Sequence, residues 1–347
     1  MPITIALDAM GGDDAPLFVV NGTEIARARY PDAKFIMYGD ERRIFPLLSK
    51  KKKLIECCEI RHTDAVVGPD DKPSQALRHG QESSMRKAID AVASGEATGV
   101  VSAGNTGALM AMAKYVLKTV KGIDRPAIAS FFPTIHGEST MLDLGANVEC
   151  DSNNLVQFAV MGAAFARTVL GVECPSVALL NVGVEEMKGH EAVRSAAQVL
   201  HNSDFPFDFY GFVEGGDIAL GTVDVVVTDG FTGNIALKAT EGTAQLYSRF
   251  LRAAFKRSVF SRVGYLLAKP ALDTLRHKLD PRVYNGAMFV GLNGVVVKSH
   301  GGTDATGFAS AIGVAVDMVK GRYGDLILED CERLSAPGQT LRQAAAS

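Results

Sequence analysis

The side chains able to do chemistry gather where apolar runs stop. Six short runs end in glycine mixed with Asp, Asn, Ser or His: Asp8-Ala9-Met10-Gly11-Gly12-Asp13-Asp14, Ser102-Ala103-Gly104-Asn105-Thr106-Gly107, Asp143-Leu144-Gly145-Ala146-Asn147, Asn181-Val182-Gly183, Asp229-Gly230-Phe231-Thr232-Gly233-Asn234 and Ser299-His300-Gly301-Gly302-Thr303-Asp304. Glycine lets backbone N–H groups approach an anion, which is favoured where such a loop runs into a helix N-terminus. Each loop alone is also read as an ordinary strand or helix cap. All six on one sheet edge would make one polar cleft. The Ser102–Gly107 loop is the most phosphate-like, with Ser102, Asn105 and Thr106 as donors and an open backbone at Gly104 and Gly107. It is not a Walker A loop, and the first loop is not GxGxxG, so nucleotide binding has no motif support.

The run Asn181-Val182-Gly183-Val184-Glu185-Glu186-Met187-Lys188-Gly189-His190-Glu191 sets Lys188 among three acids just after an apolar strand. An ammonium there can hold phosphate or stabilise a developing oxyanion. A solvated helix start with ordinary charge pairs is the plainer alternative. Nucleophilic catalysis finds little support, because no GxSxG elbow occurs and Cys150 and Cys174 read as packing residues. Of seven histidines only His300 lies in a Gly-rich loop, and none forms HExxH, so no histidine metal site is indicated. The five cysteines form no CxxC, which argues against a disulfide framework or a thiolate zinc site and fits a reducing, cytosolic compartment.

Alternating elements must position these loops. Val-, Ile- and Phe-rich runs predict strands at Ile3–Asp8, Phe35–Tyr38, Glu59–His62, Gly99–Ser102, Ile128–Phe132, Thr140–Leu144, Val177–Asn181, Asp208–Phe212, Val223–Thr228, Met288–Val290 and Val295–Lys298. Helical periodicity is clearest at Ser74–Ser94, Thr106–Thr119, Asn153–Leu170, Gly189–Asn202, Thr232–Phe255 and Ala305–Lys320. The pattern is that of an α/β protein with a buried, mostly parallel sheet flanked by helices. With so many strands, some must be edges or hairpins. One body over residues 1–335 is expected, with a division into two subdomains left open, followed by a flexible tail at 336–347. The 347 residues include 35 Gly but only 13 Pro, a glycine excess that suggests tight turns rather than disorder. Formal charge is −3, so no chain-wide basic excess points to nucleic acid. The N-terminal apolar run has no basic leader, and no transmembrane-length apolar stretch occurs, so neither a signal peptide nor a spanning helix is expected.

Taken in order, MPITIALDAMGGDDAP, VSAGNTGALMA, LDLGAN, NVGVEEMKGHE, DGFTGNIALK and KSHGGTDATGF closely resemble the PlsX family, the acyl-acyl carrier protein:phosphate acyltransferases of bacterial phospholipid synthesis. The resemblance runs over about residues 2–330. It implies a Rossmann-like three-layer α/β/α fold related to phosphotransacetylases and to isocitrate and isopropylmalate dehydrogenases, and a homodimer without metal or organic cofactor. The implied reaction moves a fatty acyl group reversibly from acyl carrier protein to inorganic phosphate. The acyl phosphate then feeds a membrane-embedded glycerol-3-phosphate acyltransferase. Carried over by motif, Lys188 and Asn234 are the catalytic residues, Lys188 for phosphate or oxyanion charge and Asn234 as a neutral donor. Ser102, Gly104, Asn105, Thr106 and Gly107 would line the phosphate subsite, with Asp8, Gly11, Gly12, Asn147 and His300 around it, and His300 available to protonate the leaving thiolate. Phosphate is itself the nucleophile, which agrees with the missing Ser and Cys motifs. Asp8, Asp13, Asp143 and Asp229 would repel a dianion if all faced it, so some must instead bond loop N–H groups or neutralise Lys188.

Residues Arg249–Arg282 hold nine Lys or Arg against two Asp, a local +7 within a chain of net −3. Leu251, Phe255, Val259, Val263, Leu266 and Leu267 recur at roughly helical spacing, with Arg252, Lys256, Arg257, Arg262 and Lys269 between them. Gly264 and Pro270 suggest a break into a helical hairpin. Three uses stay open: peripheral contact with anionic lipid, docking of acidic acyl carrier protein, or packing against a second subunit. For the whole chain, a short-chain phosphotransacetylase using coenzyme A and a non-catalytic membrane scaffold are the alternative functions; the scaffold leaves the strand-end loops unexplained.

Overall fold

Among the described residues eleven strands form, most of them where short apolar runs lie, since such a run is long enough to cross a sheet and too short to make a stable helix. The computed structural model describes residues 3–278, 282 and 285–334. The chain opens with β1 (Thr4–Asp8), α1 (Leu17–Arg29), β2 (Lys34–Gly39), α2 (Glu41–Leu48) and β3 (Cys58–His62). Next come α3 (Pro73–His79), α4 (Ser84–Ala93), β4 (Gly99–Ser102), α5 (Thr106–Leu117) and the hairpin β5 (Ala127–Thr134) and β6 (Gly137–Leu142). The middle holds α6 (Ser152–Val169), β7 (Ser176–Leu180), α7 (Glu191–His201), β8 (Asp208–Val213), α8 (Gly215–Leu220) and β9 (Val225–Val227). Two long helices, α9 (Gly230–Lys256) and α10 (Val259–Lys278), precede the hairpin β10 (Ala287–Val290) and β11 (Val295–Lys298), then α11 (Ala305–Lys320) and α12 (Tyr323–Leu334).

One sheet contains all eleven strands, in the order β3-β2-β1-β4-β11-β10-β5-β6-β9-β7-β8. Strands β3, β2, β1, β4 and β11 run parallel, as do β6, β9, β7 and β8. Between these blocks the three pairings β11–β10, β10–β5 and β5–β6 are antiparallel. Three reversals leave the two parallel blocks with opposite polarity. The six glycine-rich loops therefore do not share one sheet edge: those after β1, β4 and β11 follow one polarity and those after β6, β7 and β9 the other. Periodicity within a strand carries no information about the direction of a neighbour, so this division is invisible in the sequence.

Helices cover both faces. Apolar side chains of α1, α6, α11 and α12 pack with Ile5, Leu7, Val101, Leu142 and Val297 on one face. Residues of α4 and α5 pack with Ala6, Val100, Met141 and Val296 on the other. Alternate residues of one strand thus feed opposite cores, which is why these strands read as continuous apolar runs. Helix α6 is buried nearly all round, flanked by α7, α11 and α12. Its start is set by Asp151 and Asn154, whose side chains bond each other's backbone N–H in a capping box. Helix α1 lies close on α11 because Gly22 has no side chain; a Cβ there would come within 2.8 Å of the Ala305 carbonyl.

Two helical expectations shift. The Ser74–Ser94 segment is two helices, α3 and α4, since Ser83 turns out of α3 and caps Arg86 N–H of α4. The break in the basic segment falls at Arg257–Ser258, not at Gly264 or Pro270, both of which lie inside α10. Ser258 Oγ accepts the Ser261 N–H there, which starts the new helix. The expected tail at 336–347 and residues 279–281 of the basic segment lie outside the described residues. On the α6 face, Phe165 is fully buried and stacks on Phe131 with ring centroids 5.1 Å apart. Phe165→Ala is expected to lower unfolding free energy by about 3–5 kcal/mol, measured by urea denaturation.

Candidate active site

Two hydrogen-bonded clusters emerge, each organised by a buried aspartate at a strand end. Asp8 closes β1 and is 1% exposed. Its carboxylate accepts the hydroxyls of Ser84 and Ser102, each at 2.6 Å, and the Met10 N–H at 3.3 Å. Burial drives its pKa up from the ordinary carboxylate range, and the two serine hydroxyls oppose that rise. Ser102 also accepts the Gly104 N–H, so its side chain is spent on the loop itself. Gly11 packs directly against Gly104: a Cβ on Gly11 would sit 2.7 Å from Gly104 N. Gly12 meets Gly301 through the neighbouring Asp13 N–H, which bonds the Gly301 carbonyl at 3.1 Å.

Asn105 caps α5 by accepting the Ala108 N–H, and its amide N–H groups bond the carbonyls of Pro69 and Asp71. Thr106 and Gly107 then form the first turn of α5, with Thr106 exposed. His300 is exposed; its backbone N–H bonds Asn285 Oδ1 and its Nδ1 accepts the Gly302 N–H. That contact fits the neutral ring with its proton on Nε2. Asp8, Gly11, Gly12, Ser102, Gly104 and His300 are thus brought together around the ends of β1, β4 and β11, with Asn105, Thr106 and Gly107 at the adjoining helix start.

The second cluster surrounds Asp143, which is fully buried. It accepts the N–H groups of Ile128, Gly145, Ala146 and Asn147 and the Asn147 amide. Burial raises its pKa, and these bonds resist the shift. Asn147 also donates to the Pro126 carbonyl, so its side chain is fully engaged in holding the loop. Helix α9 starts against this loop. A Cβ on Gly233 would be 1.9 Å from the Asp143 carbonyl oxygen, so only glycine permits the approach. One residue later Asn234 lies beside Gly145, its Cβ 3.6 Å from where a Gly145 Cβ would be.

Lys188 follows β7, whose neighbour in the sheet is β9, the strand that leads into α9. Its ammonium pairs with Glu185 at 3.2 Å and remains 51% exposed. The Lys188 carbonyl accepts the Asn181 amide at 3.0 Å, fixing the loop across its base. Gly189, at φ +89°, lies so near Asn181 that a Cβ would collide with its side chain. Lys188, Asn234 and Asn147 therefore sit at the ends of adjacent parallel strands β7, β9 and β6. Among the described residues, no hydrogen bond or ion pair joins them to the Asp8 cluster.

Sequence reasoning passed over Ser84 and Lys298. Ser84 lies 76 residues from Asp8 in the chain, with nothing local to mark the contact. Lys298 was visible in retrospect, as a lysine ending the buried run Val-Val-Val-Lys before a glycine loop. Among the described residues, the one cluster of metal-ligand type is Asp40, His62 and Asp64, with ligand atoms within 4.8 Å of one another. Arg42 bonds both carboxylates and His62 Nδ1 accepts the Glu41 N–H, so its donors are already engaged.

Most of the basic segment is exposed apolar and basic surface, and at its end Arg282 pairs with Asp304 of the His300 loop at 2.9 Å. Val263, Leu266 and Leu267 are 52%, 67% and 81% exposed, and Phe260 is 90% exposed. Arg252, Lys256, Arg257, Arg262 and Lys269 are interspersed with them on α9 and α10 or the turn between. Phe255 of α9 meets Tyr265 of α10 edge-on at 5.4 Å. Among the described residues no helix is long and apolar enough to cross a membrane.

Comparison with known proteins follows the same chain almost end to end. A family model described as fatty acid synthesis protein matches residues 3–323. A phosphate acyltransferase of Rhodospirillum centenum is 63% identical over 332 residues, covering 96% of this chain and 94% of that protein. One from Paramagnetospirillum magneticum is 57% identical and covers 99% and 98%. Among solved structures, the EutD phosphotransacetylase of Staphylococcus aureus matches with a TM-score of 0.58 at 17% identity, covering 91% of this chain and 94% of that one. A phosphotransacetylase of Streptococcus pyogenes matches with a TM-score of 0.59, also at 17% identity, covering 92% and 94%. The structural matches establish a shared three-layer α/β fold; with the family model and the close relatives, they show that the chain belongs to the fatty acid synthesis protein family and is an acyltransferase akin to the phosphate acyltransferases.

Proposed function

We propose that the enzyme transfers a fatty acyl group from the thioester of acyl carrier protein to inorganic phosphate, reversibly and without a covalent enzyme intermediate. The observation that carries this reading is the placement of Lys188 and Asn234 at adjacent strand ends, in a chain whose second cluster of loops is built from glycines over a buried aspartate. Lys188 supplies charge for phosphate or the tetrahedral oxyanion, and Asn234 a neutral donor. A phosphate oxygen forms the new C–O bond, the C–S bond breaks, and the proton of hydrogen phosphate ends on the carrier thiol. Cys150 borders the Asp143 loop, but burial and then the Asp143 charge push its thiol up to about 12, so it is no thiolate at neutral pH. Ser84 and Ser102 are both committed to Asp8. Phosphate acting as its own nucleophile fits that inventory.

The opposed polarity of the two loop clusters is compatible with one cleft. Neighbouring strands twist by about 20–25°, so the five steps from β4 to β9 rotate strand direction by roughly 100–125°. Starting from antiparallel, that rotation swings the two sets of strand ends toward a common side. The Asp8 cluster, with the α5 N-terminus and His300 Nε2–H, then serves as the phosphate side and Lys188 with Asn234 as the thioester side. The exposed apolar and basic surface of α9 and α10 supports reversible contact with anionic lipid by a cytosolic homodimer, close to the membrane-embedded glycerol-3-phosphate acyltransferase that would take the product. The same surface offers positive charge to acyl carrier protein.

Lys188→Ala is expected to cut acyl phosphate formation by at least ~10²-fold, and Asn234→Ala by ~10²–10³-fold. The melting midpoint of Lys188→Ala should stay at the wild-type value, because the side chain is exposed and its pairing with Glu185 is superficial. Near-normal turnover of the Lys188 variant would remove it from the chemistry. Faster turnover of a short acyl thioester of coenzyme A than of a long acyl carrier protein thioester would favour the phosphotransacetylase reading instead. In liposome flotation, wild type should float with anionic vesicles and Leu266→Glu should not; equal flotation of both would leave the α10 surface without a lipid role.

A further inference from the structure

Resting on the acyl-transfer reading above, we infer that Lys298 binds the acceptor phosphate from beneath the loops that follow β1, β4 and β11. Lys298 ends β11 opposite Ser102 of β4. Its ammonium donates to the carbonyls of Ala103 and Ser299, which places it at the junction of the two glycine loops. Asp8 and Asp13 face it, but it makes contact ion pairs with neither. Asp8 is occupied by two serine hydroxyls and a backbone N–H. The result is a largely buried cation bonded to two neutral carbonyls, with the Asp8 and Asp13 carboxylates near it but not in contact, so that a direct ionic partner is left to an incoming anion.

The loop that follows it carries two glycines in ordinary contact with Ala103, Asp13 and His300. A Cβ on Gly301 would meet nothing nearer than the Ala103 carbonyl at 3.5 Å, and one on Gly302 nothing nearer than Asp13 at 3.4 Å. Gly301 and Gly302 bring no side chain of their own to the loop that follows Lys298, and the Gly104 backbone, one residue after the Ala103 carbonyl that the ammonium bonds, packs close on Gly11. The charges that act on the ammonium are Asp8 of β1 and Asp13 of the following loop; its own loop carries His300 and ends at Asp304, which is paired with Arg282. Burial pulls the Lys298 pKa down to about 8, with Asp8 and Asp13 opposing the shift. A lowered lysine pKa means that the cation persists below about pH 8 and is lost above it.

The test is steady-state kinetics of wild type, Lys298→Met and Lys298→Arg with a long-chain acyl carrier protein thioester and inorganic phosphate. For Lys298→Met the KM for phosphate should rise about tenfold or more, with the KM for acyl donor within about twofold. Wild-type kcat/KM for phosphate should fall as pH passes about 8, and Lys298→Arg should restore phosphate affinity and remove that fall. Removing a buried charge should leave the melting midpoint of Lys298→Met at or above wild type. Without acyl donor, millimolar phosphate should raise the midpoint of wild type and Lys298→Arg but not of Lys298→Met. An unchanged phosphate KM and an unchanged phosphate-dependent midpoint in Lys298→Met would overturn the inference. Absence of any acyl phosphate from wild type would instead overturn the reading of the reaction, and the midpoint shift would still decide whether Lys298 holds an anion.

Discussion

A carboxylate buried at the end of a strand must have its oxygens filled by whatever surrounds it, and that demand organises both clusters of strand-end loops in this fold. Asp143 accepts five hydrogen bonds from its own loop and from Ile128, which leaves the loop little freedom. Asp8 does the same with hydroxyls from two other elements, tying α4 and β4 to β1. Neither aspartate is free to repel a phosphate by being solvated and mobile. Their charge is turned inward, onto donors of the protein.

That arrangement also explains why polar residues with the right chemistry for phosphate are already engaged. Ser102, Asn105 and Asn147 each carry donors that phosphate could use, yet each spends them on carbonyls or carboxylates of neighbouring loops. Their part is to hold the backbone in shape. Among the described residues of these loops, side chains not spent on holding the loop backbone are fewer: Asn234 beside Gly145, the exposed Lys188 with its single partner Glu185, and Thr106 at the start of α5. A preorganised shell of this kind leaves little reorganisation for the reaction itself.

Apolar surface is handled in two opposite ways. In α6 it is buried on nearly every side, and in α9 and α10 it is displayed among arginines and lysines. The displayed set is too large to be incidental, since Phe260, Val263, Leu266 and Leu267 are all exposed on α10. One end of α9 carries Asn234 against the Asp143 loop and the other carries the exposed basic and apolar residues, so a single helix joins the two.

Much of this was legible in the residues. Strands buried on both faces must read as continuous apolar runs, as β4, β9, β10 and β11 do, while the exposed edge strand β3 (CEIRH) shows only a short β-branched and apolar core; the existence and approximate bounds of the strands followed from local composition. Glycine needed for a close approach, such as Gly233 against Asp143 or Gly189 against Asn181, was visible as an excess of glycine after those runs, and the ordered motifs identified the family. Local patterns could not show that α3 and α4 divide, because the turn at Ser83 depends on a cap and not on periodicity. Nor could they assign Ser84 to Asp8, find the unpaired cation of Lys298, or reverse the polarity of half the sheet. Those three are properties of contacts between distant segments. Pairing direction is set by three antiparallel neighbours whose side chains alternate as they would in a parallel sheet, and a buried charge is defined by what surrounds it, which only the assembled chain supplies.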